Sequence, residues 1–93
     1  MFKTNEYFDG RVKSIAFQTA DGPATMGVMA PGDYEFGTTT IENMTVVSGI
    51  MEVLLPNETS WKEYKPFQTF VVAKNEKFKL RISIDSAYVC LYH

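Results

Sequence analysis

The chain reads as an all-β protein, a small barrel or jelly-roll of short strands in a single domain of 93 residues. Three observations predict this. Apolar and polar residues alternate with a period of two, most cleanly where Phe78, Leu80, Ile82 and Ile84 stand against Lys79, Arg81 and Ser83. Turn-forming groups punctuate the chain at short intervals: Asp9-Gly10, Asp21-Gly22-Pro23, Pro31-Gly32, Ser48-Gly49 and Pro56-Asn57. No segment sustains a helical period for more than two turns.

Taken in order, residues 1–10 hold charged and turn-forming groups around Tyr7-Phe8 and end at the Asp9-Gly10 turn. Arg11–Gln18 alternates and is read as a strand, with Val12, Ser14 and Ala16 on one face and Lys13, Ile15 and Phe17 on the other. Lys13 shares a face with the bulky Ile15 and Phe17, which makes it the best candidate among the cations to point inward, although a solvated strand face is the favoured role for it as for Lys79 and Arg81. Thr19–Pro23 has the chemistry of a hairpin loop. Met26–Ala30 and Asp33–Gly37 are short strands, and Ile41-Glu42-Asn43 is a bend before the strand Met44–Val47. Ser48-Gly49 suits a tight hairpin turn into the apolar run Ile50–Leu55, so Gly32–Pro56 is expected to form a three-stranded meander. Asn57–Pro66 is the one long polar connection, and its Trp61 and Tyr64 are expected to cover an edge or meet a second copy of the chain. Phe67–Val72 is a strand, Ala73–Lys77 a charged turn and Phe78–Ile84 a strand. Asp85-Ser86 then turns the chain into Ala87–Tyr92, which carries Tyr88, Cys90 and Tyr92 on one face.

Composition removes several classes of function. A net charge of −2 supplies no basic field for nucleic acid and nothing to hold an anionic membrane. The N-terminus lacks an apolar signal core and no run approaches the length of a membrane span, so the expectation is a cytoplasmic protein. The one cysteine, Cys90, lies in an apolar run and reads as a buried, inert thiol. The one histidine, His93, is the last residue, which argues against a Ser or Cys nucleophile with a histidine base. Neither G-x-x-x-x-G-K-[ST] nor G-x-G-x-x-G occurs. The cations able to face a pocket are Lys13, Lys79 and Arg81, with Lys13 preferred. Tyr34, Phe36, Tyr88 and Tyr92 are the aromatics suited to line a cavity for a flat ring, with ordinary core as the competing role for each.

Gly32–Pro56 also has the layout of the first half of a cupin barrel. Cupins that hold a metal do so with two or three His and a Glu. Here Glu42 falls near the carboxylate position, while the His positions are taken by Glu35, Gly37, Thr38 and the Phe78-Lys79 region. No metal and no cofactor are therefore expected.

Asn5-Glu6-Tyr7-Phe8, then Gly10, Val12-Lys13-Ser14-Ile15 and Phe17, resembles the opening of the pyrimidine/purine nucleoside phosphorylase family. The likeness runs on through Gly27-Val28-Met29, Met44-Thr45-Val46, Ser48-Gly49, Val53-Leu54-Leu55-Pro56, Phe70, Val72, Tyr88, Cys90 and Tyr92. It spans the chain, and departs at Ala73-Lys74-Asn75-Glu76, where the family pattern carries Pro-Gly-His. The resemblance implies a cupin-type β-barrel of jelly-roll form. It also implies phosphorolysis: a purine or pyrimidine nucleoside and inorganic phosphate give free base and pentose 1-phosphate. Its further implication, shared by the small size of the chain, is a homodimer. The residues assigned to such a site on physical grounds are Glu42 as the catalytic group, Lys13 and Arg81 for phosphate, and Tyr34, Phe36 and Tyr88 for the substrate's ring. A non-catalytic cupin that binds a small metabolite, as a sensor or partner protein, remains the alternative. Sugar isomerase or epimerase chemistry is a weaker one, since such cupins use His.

Overall fold

The computed structural model describes residues 1–93 and contains ten strands and no helix. The strands are β1 (Thr4–Tyr7), β2 (Val12–Thr19), β3 (Gly22–Met29), β4 (Gly32–Gly37), β5 (Glu42–Ser48), β6 (Met51–Leu54), β7 (Lys62–Tyr64), β8 (Thr69–Val72), β9 (Lys77–Ile82) and β10 (Ser86–Tyr92). They form two antiparallel sheets, one ordered β1-β2-β3-β10-β5-β8 and the other β4-β9-β6-β7. No helix is long and apolar enough to cross a membrane.

The two sheets face each other across a shared apolar core and are not hydrogen-bonded into a closed barrel. Alternation decides what enters that core. β9 turns Phe78, Leu80 and Ile82 inward, β8 turns Phe70 and Val72, β6 turns Met51 and Val53, and β10 turns Tyr88 and Cys90. Each such side chain fully withdrawn from water contributes about 1.5–3 kcal/mol before the entropy of ordering it is subtracted.

The expected meander over Gly32–Pro56 is not what forms. β4 pairs with β9, β5 with β10 and β8, and β6 with β9 and β7, so none of the three pairs with another. Ser48-Gly49 is a corner at which the chain leaves one sheet for the other. The apolar residues on either side of it suit both a hairpin and a corner, because both are buried on one face. Local chemistry cannot separate the two.

The same crossing recurs at the junctions after β3, β4, β7, β8 and β9, and side chains pin several of these corners. The Tyr34 hydroxyl donates to Ala30 O at 2.6 Å, holding the β3–β4 corner. The Ser86 hydroxyl accepts from Ile50 N–H at 3.2 Å and donates to Ile84 O at 2.9 Å, joining the corners that follow β5 and β9. The Thr38 hydroxyl donates to Ala73 O at 2.6 Å, tying the β8–β9 turn to the end of β4. Asn75 in that turn has a φ of 61°, a conformation asparagine accepts more readily than most residues.

Two other local expectations change. Residues 4–7, read only as turn-forming, make β1 on the edge beside β2. Glu42 opens β5 rather than bending the chain before it, because its backbone pairs with both Val72 and Tyr92.

Candidate active site

Across the inner face of the larger sheet, Ser14 of β2 pairs with Gly27 of β3, and Gly27 with Tyr88 of β10. The Tyr88 ring lies flat over Gly27. A Cβ built on that glycine would stand 2.5 Å from the ring carbon bearing the hydroxyl, closer than real contacts allow. The absence of a side chain at Gly27 is thus what lets the phenol cross β3 and reach the Ser14 side chain, its polar neighbour. A register shift between Ala87 and Tyr88 in the β10–β5 ladder bends the strand where this ring enters.

Beyond Tyr88, the two strand ends carrying Glu42 and Tyr92 pair directly. Their side chains join Tyr88, Ser14, Met29 and Met44 from the larger sheet and Phe36, Gly37 and Phe78 from the smaller one around a cavity of about 150 Å³. Tyr7, 44% exposed, stands at the opening. The turn after β1 places it there: Phe8, Asp9 and Gly10 take φ values of 54°, 57° and 83° in succession. A left-handed phenylalanine is unfavourable. It is held by ring contacts, with Phe8 5.0 Å from Tyr34 and 5.5 Å from Phe36. Tyr7 meets Phe36 edge-on at 6.1 Å. Arg11, just after the turn, lies 5.5 Å over the Tyr34 ring.

Glu42 is the only charged side chain on the cavity wall. Burial pushes its carboxyl above the usual carboxylate range, and a weak bond from the Cys90 thiol, 3.7 Å from Oε1, partly offsets this. Burial, then the nearby Glu42 charge, pushes the Cys90 thiol up to about 12. It stays protonated at neutral pH and is no nucleophile. Burial likewise raises Tyr88 to about 12, with Cys90 adding to the rise and Ser14 opposing it. Tyr92 is raised by burial as well, against a 2.9 Å hydrogen bond between its hydroxyl and that of Thr25. The cavity therefore offers one carboxyl and a set of neutral hydroxyls between apolar walls.

The structure brings together Glu42, Phe36, Tyr88 and Tyr92. It separates the other assigned residues. Lys13 faces outward with a 60% exposed side chain and pairs with Glu6 at 3.3 Å. It takes the solvated face because the inner face of β2 needs the small Ser14 beneath the Tyr88 ring, which sends Ile15 and Lys13 outside. Arg81 lies on the outer face of β9, its guanidinium 3.8 Å from the centre of the Trp61 ring. Tyr34 is buried beside the site, with its hydroxyl committed to Ala30. Tyr7, Ser14 and Gly27 were not marked by the sequence pattern. All three lie in segments that carry the family likeness, Tyr7 and Ser14 in its opening and Gly27 in Gly27-Val28-Met29, and that likeness was the available pointer. Of the two residues expected to cover an edge or meet a second copy, Tyr64 packs on Phe70 of the edge strand β8 at 4.9 Å, whereas Trp61 lies against Arg81 on the outer face of β9, an interior strand. No group of three or more His, Cys, Asp or Glu side chains stands together.

The family model described as pyrimidine/purine nucleoside phosphorylase matches residues 2–92. The chain belongs to this family. A pyrimidine/purine nucleoside phosphorylase of Pseudomonas fluorescens is 58% identical over 92 residues, 99% of this chain and 98% of the relative. A solved structure of a Vibrio parahaemolyticus protein of unknown function is 40% identical, with a TM-score of 0.93 over 97% of this chain and 96% of that one. An RmlC-like cupin from Shewanella frigidimarina superposes with a TM-score of 0.72 at 13% identity, covering 96% of this chain and 80% of its own. That likeness concerns the fold alone, and the fold is that of a cupin.

Proposed function

We propose that this chain is a pentosyltransferase that cleaves purine and pyrimidine nucleosides with inorganic phosphate, working at the Glu42 cavity. In the reaction a phosphate oxygen bonds to C1′ of the sugar as the C1′–N bond breaks. The bonding pair leaves with the base, which takes the proton released by hydrogen phosphate. Positive charge builds on the sugar in the transition state. The observation that carries the reading is a single carboxyl among neutral hydroxyls, in a half-enclosed cavity of a chain belonging to this family. A carboxylate fixed beside developing positive charge stabilises it far more in such a site than in water.

The arrangement supports no role for Lys13 or Arg81 in holding phosphate, since both face away from the cavity. The test is incubation of adenosine or uridine with and without phosphate. Free base is expected only with phosphate, with an equal amount of ribose 1-phosphate. Equal base release in phosphate-free buffer would make this a hydrolase. No release from any nucleoside would favour the metabolite-binding alternative.

The proposal extends to a homodimer acting in the cytoplasm. Ile15, Met26 and Val28 are 48%, 46% and 54% exposed on the outer face of β2 and β3, and Phe2 is 63% exposed nearby. A second copy laid on this face would cover a contiguous apolar patch. Light scattering at micromolar concentration is expected to give twice the chain mass, and Met26→Lys to halve it. A monomer in the unmodified protein would remove this part of the proposal.

A further inference from the structure

We infer that the cavity receives the pentose and leaves the base outside on the aromatic lip, so that the enzyme selects its substrates by the sugar. This deepens the phosphorolytic reading and rests on it. Size is the first argument. A cavity of about 150 Å³ matches the space that holds one benzene ring, so it admits a single monocyclic group and never a whole nucleoside. A base site inside this half-enclosed cavity would have to take the fused purine system as well as pyrimidines, and about 150 Å³ does not take in both rings.

Charge is the second. The cavity wall carries Glu42 and neither Lys nor Arg, so a phosphate dianion placed inside would meet a like charge with no cation to offset it. A sugar meets the opposite situation. A carboxylate accepts hydrogen bonds from neighbouring hydroxyls, and the hydroxyls of Ser14, Tyr88 and Tyr92, already bonded to one another or to Thr25, keep acceptor positions for a sugar. The apolar faces of Met29, Met44 and Phe78 suit the carbon side of the ring. A pentose seated here also brings its developing positive charge next to Glu42.

The lip is the third. Tyr7, 44% exposed, lines the opening edge-on to Phe36, and Phe8, 38% exposed, packs against the same Phe36 beside it. Rings of this kind stack on any base because every base has a π-face, and they impose little choice between bases. Strict choice would need buried polar groups that punish the wrong base edge. The lip residues Tyr7 and Phe8 offer one hydroxyl between them.

The experiment compares kcat/KM across nucleosides altered in one half at a time. Relative to adenosine, the enlarged base of 1,N6-ethenoadenosine should change kcat/KM by less than about tenfold. Enlarging the sugar, as in 3′-O-methyladenosine, should lower it by more than about a hundredfold. Tyr7→Ala should raise KM for adenosine and uridine alike and leave the sugar preference as it was. The reverse pattern, with the altered base rejected and the altered sugar accepted, overturns the inference while the phosphorolytic reading survives. So does a Tyr7→Ala protein whose KM values are unchanged and whose sugar choice is relaxed. If no unaltered nucleoside is cleaved, the enzymatic reading fails and takes this inference with it.

Discussion

Glu42→Gln is expected to lower kcat/KM by about a hundred- to a thousandfold, the usual loss on removing one fixed group that stabilises transition-state charge. The thermal midpoint should stay level or rise. The substitution keeps the side chain's shape, and an amide oxygen can still accept the Cys90 thiol, which donates to Oε1 at 3.7 Å. What it removes is a carboxyl whose pKa is raised by burial. A group with a folded pKa above its unfolded value contributes stability that is complete below the unfolded pKa and is lost as pH rises through the folded one. The unmodified protein loses that contribution as pH rises through the folded pKa of Glu42, and the glutamine variant has nothing to lose. In the proposed mechanism activity runs the other way, because the ionised form is the one that stabilises the developing positive charge. The acid limb of kcat/KM should therefore lie above the ordinary glutamate value of about 4.3 and be absent in Glu42→Gln. A variant within threefold of the parent would exclude Glu42 from catalysis. A midpoint lowered in step with activity would make it a structural residue.

A carboxyl at this position was legible in the sequence through the cupin layout, and Phe36, Tyr88 and Tyr92 as aromatics suited to line a cavity. The cations were not. The size of Ile15 and Phe17 makes Lys13 the best inward candidate among the cations, yet Ile15 is 48% exposed. In a two-sheet protein the inner face of a strand is set by what crosses it from its neighbours. Here that is the Tyr88 ring, which demands Ser14 on β2 and Gly27 on β3. A ring reaching across two strands couples residues more than sixty positions apart, and no local window contains them.

Strand identity was legible for the same reason that strand pairing was not. Period-two alternation reports one buried face and says nothing about which sheet supplies it. Val46 and Val53 are both fully buried, one from each sheet, on either side of Ser48-Gly49. A hairpin between them would have looked identical in sequence. Turn chemistry located the corner, and only the long-range partners of each strand distinguish it from a hairpin.

That corner also carries the largest expected effect on stability. Gly49 has a φ of 86°, a backbone that costs an L-residue roughly 1–2 kcal/mol. A Cβ there would also collide with the Ser86 hydroxyl and approach Asp85 O and Ser86 Cα to 2.8 Å each. Two of these obstacles are backbone and cannot swing aside, and the third is the hydroxyl joining Ile50 to Ile84. Crowding of this kind adds roughly 1–3 kcal/mol. Gly49→Ala should thus lose about 2–5 kcal/mol, which in a domain of this size lowers the midpoint by roughly 10 °C or more. Gly10→Ala is the matched control. Its φ is 83°, and the only neighbour its Cβ would meet within 4 Å is the flexible Lys13 side chain at 3.5 Å. It should show the conformational cost alone, about 1–2 kcal/mol. If the two variants lose equal stability, the clash with the corner after β9 is relieved by movement, and Ser86 does not lock these two sheet crossings together.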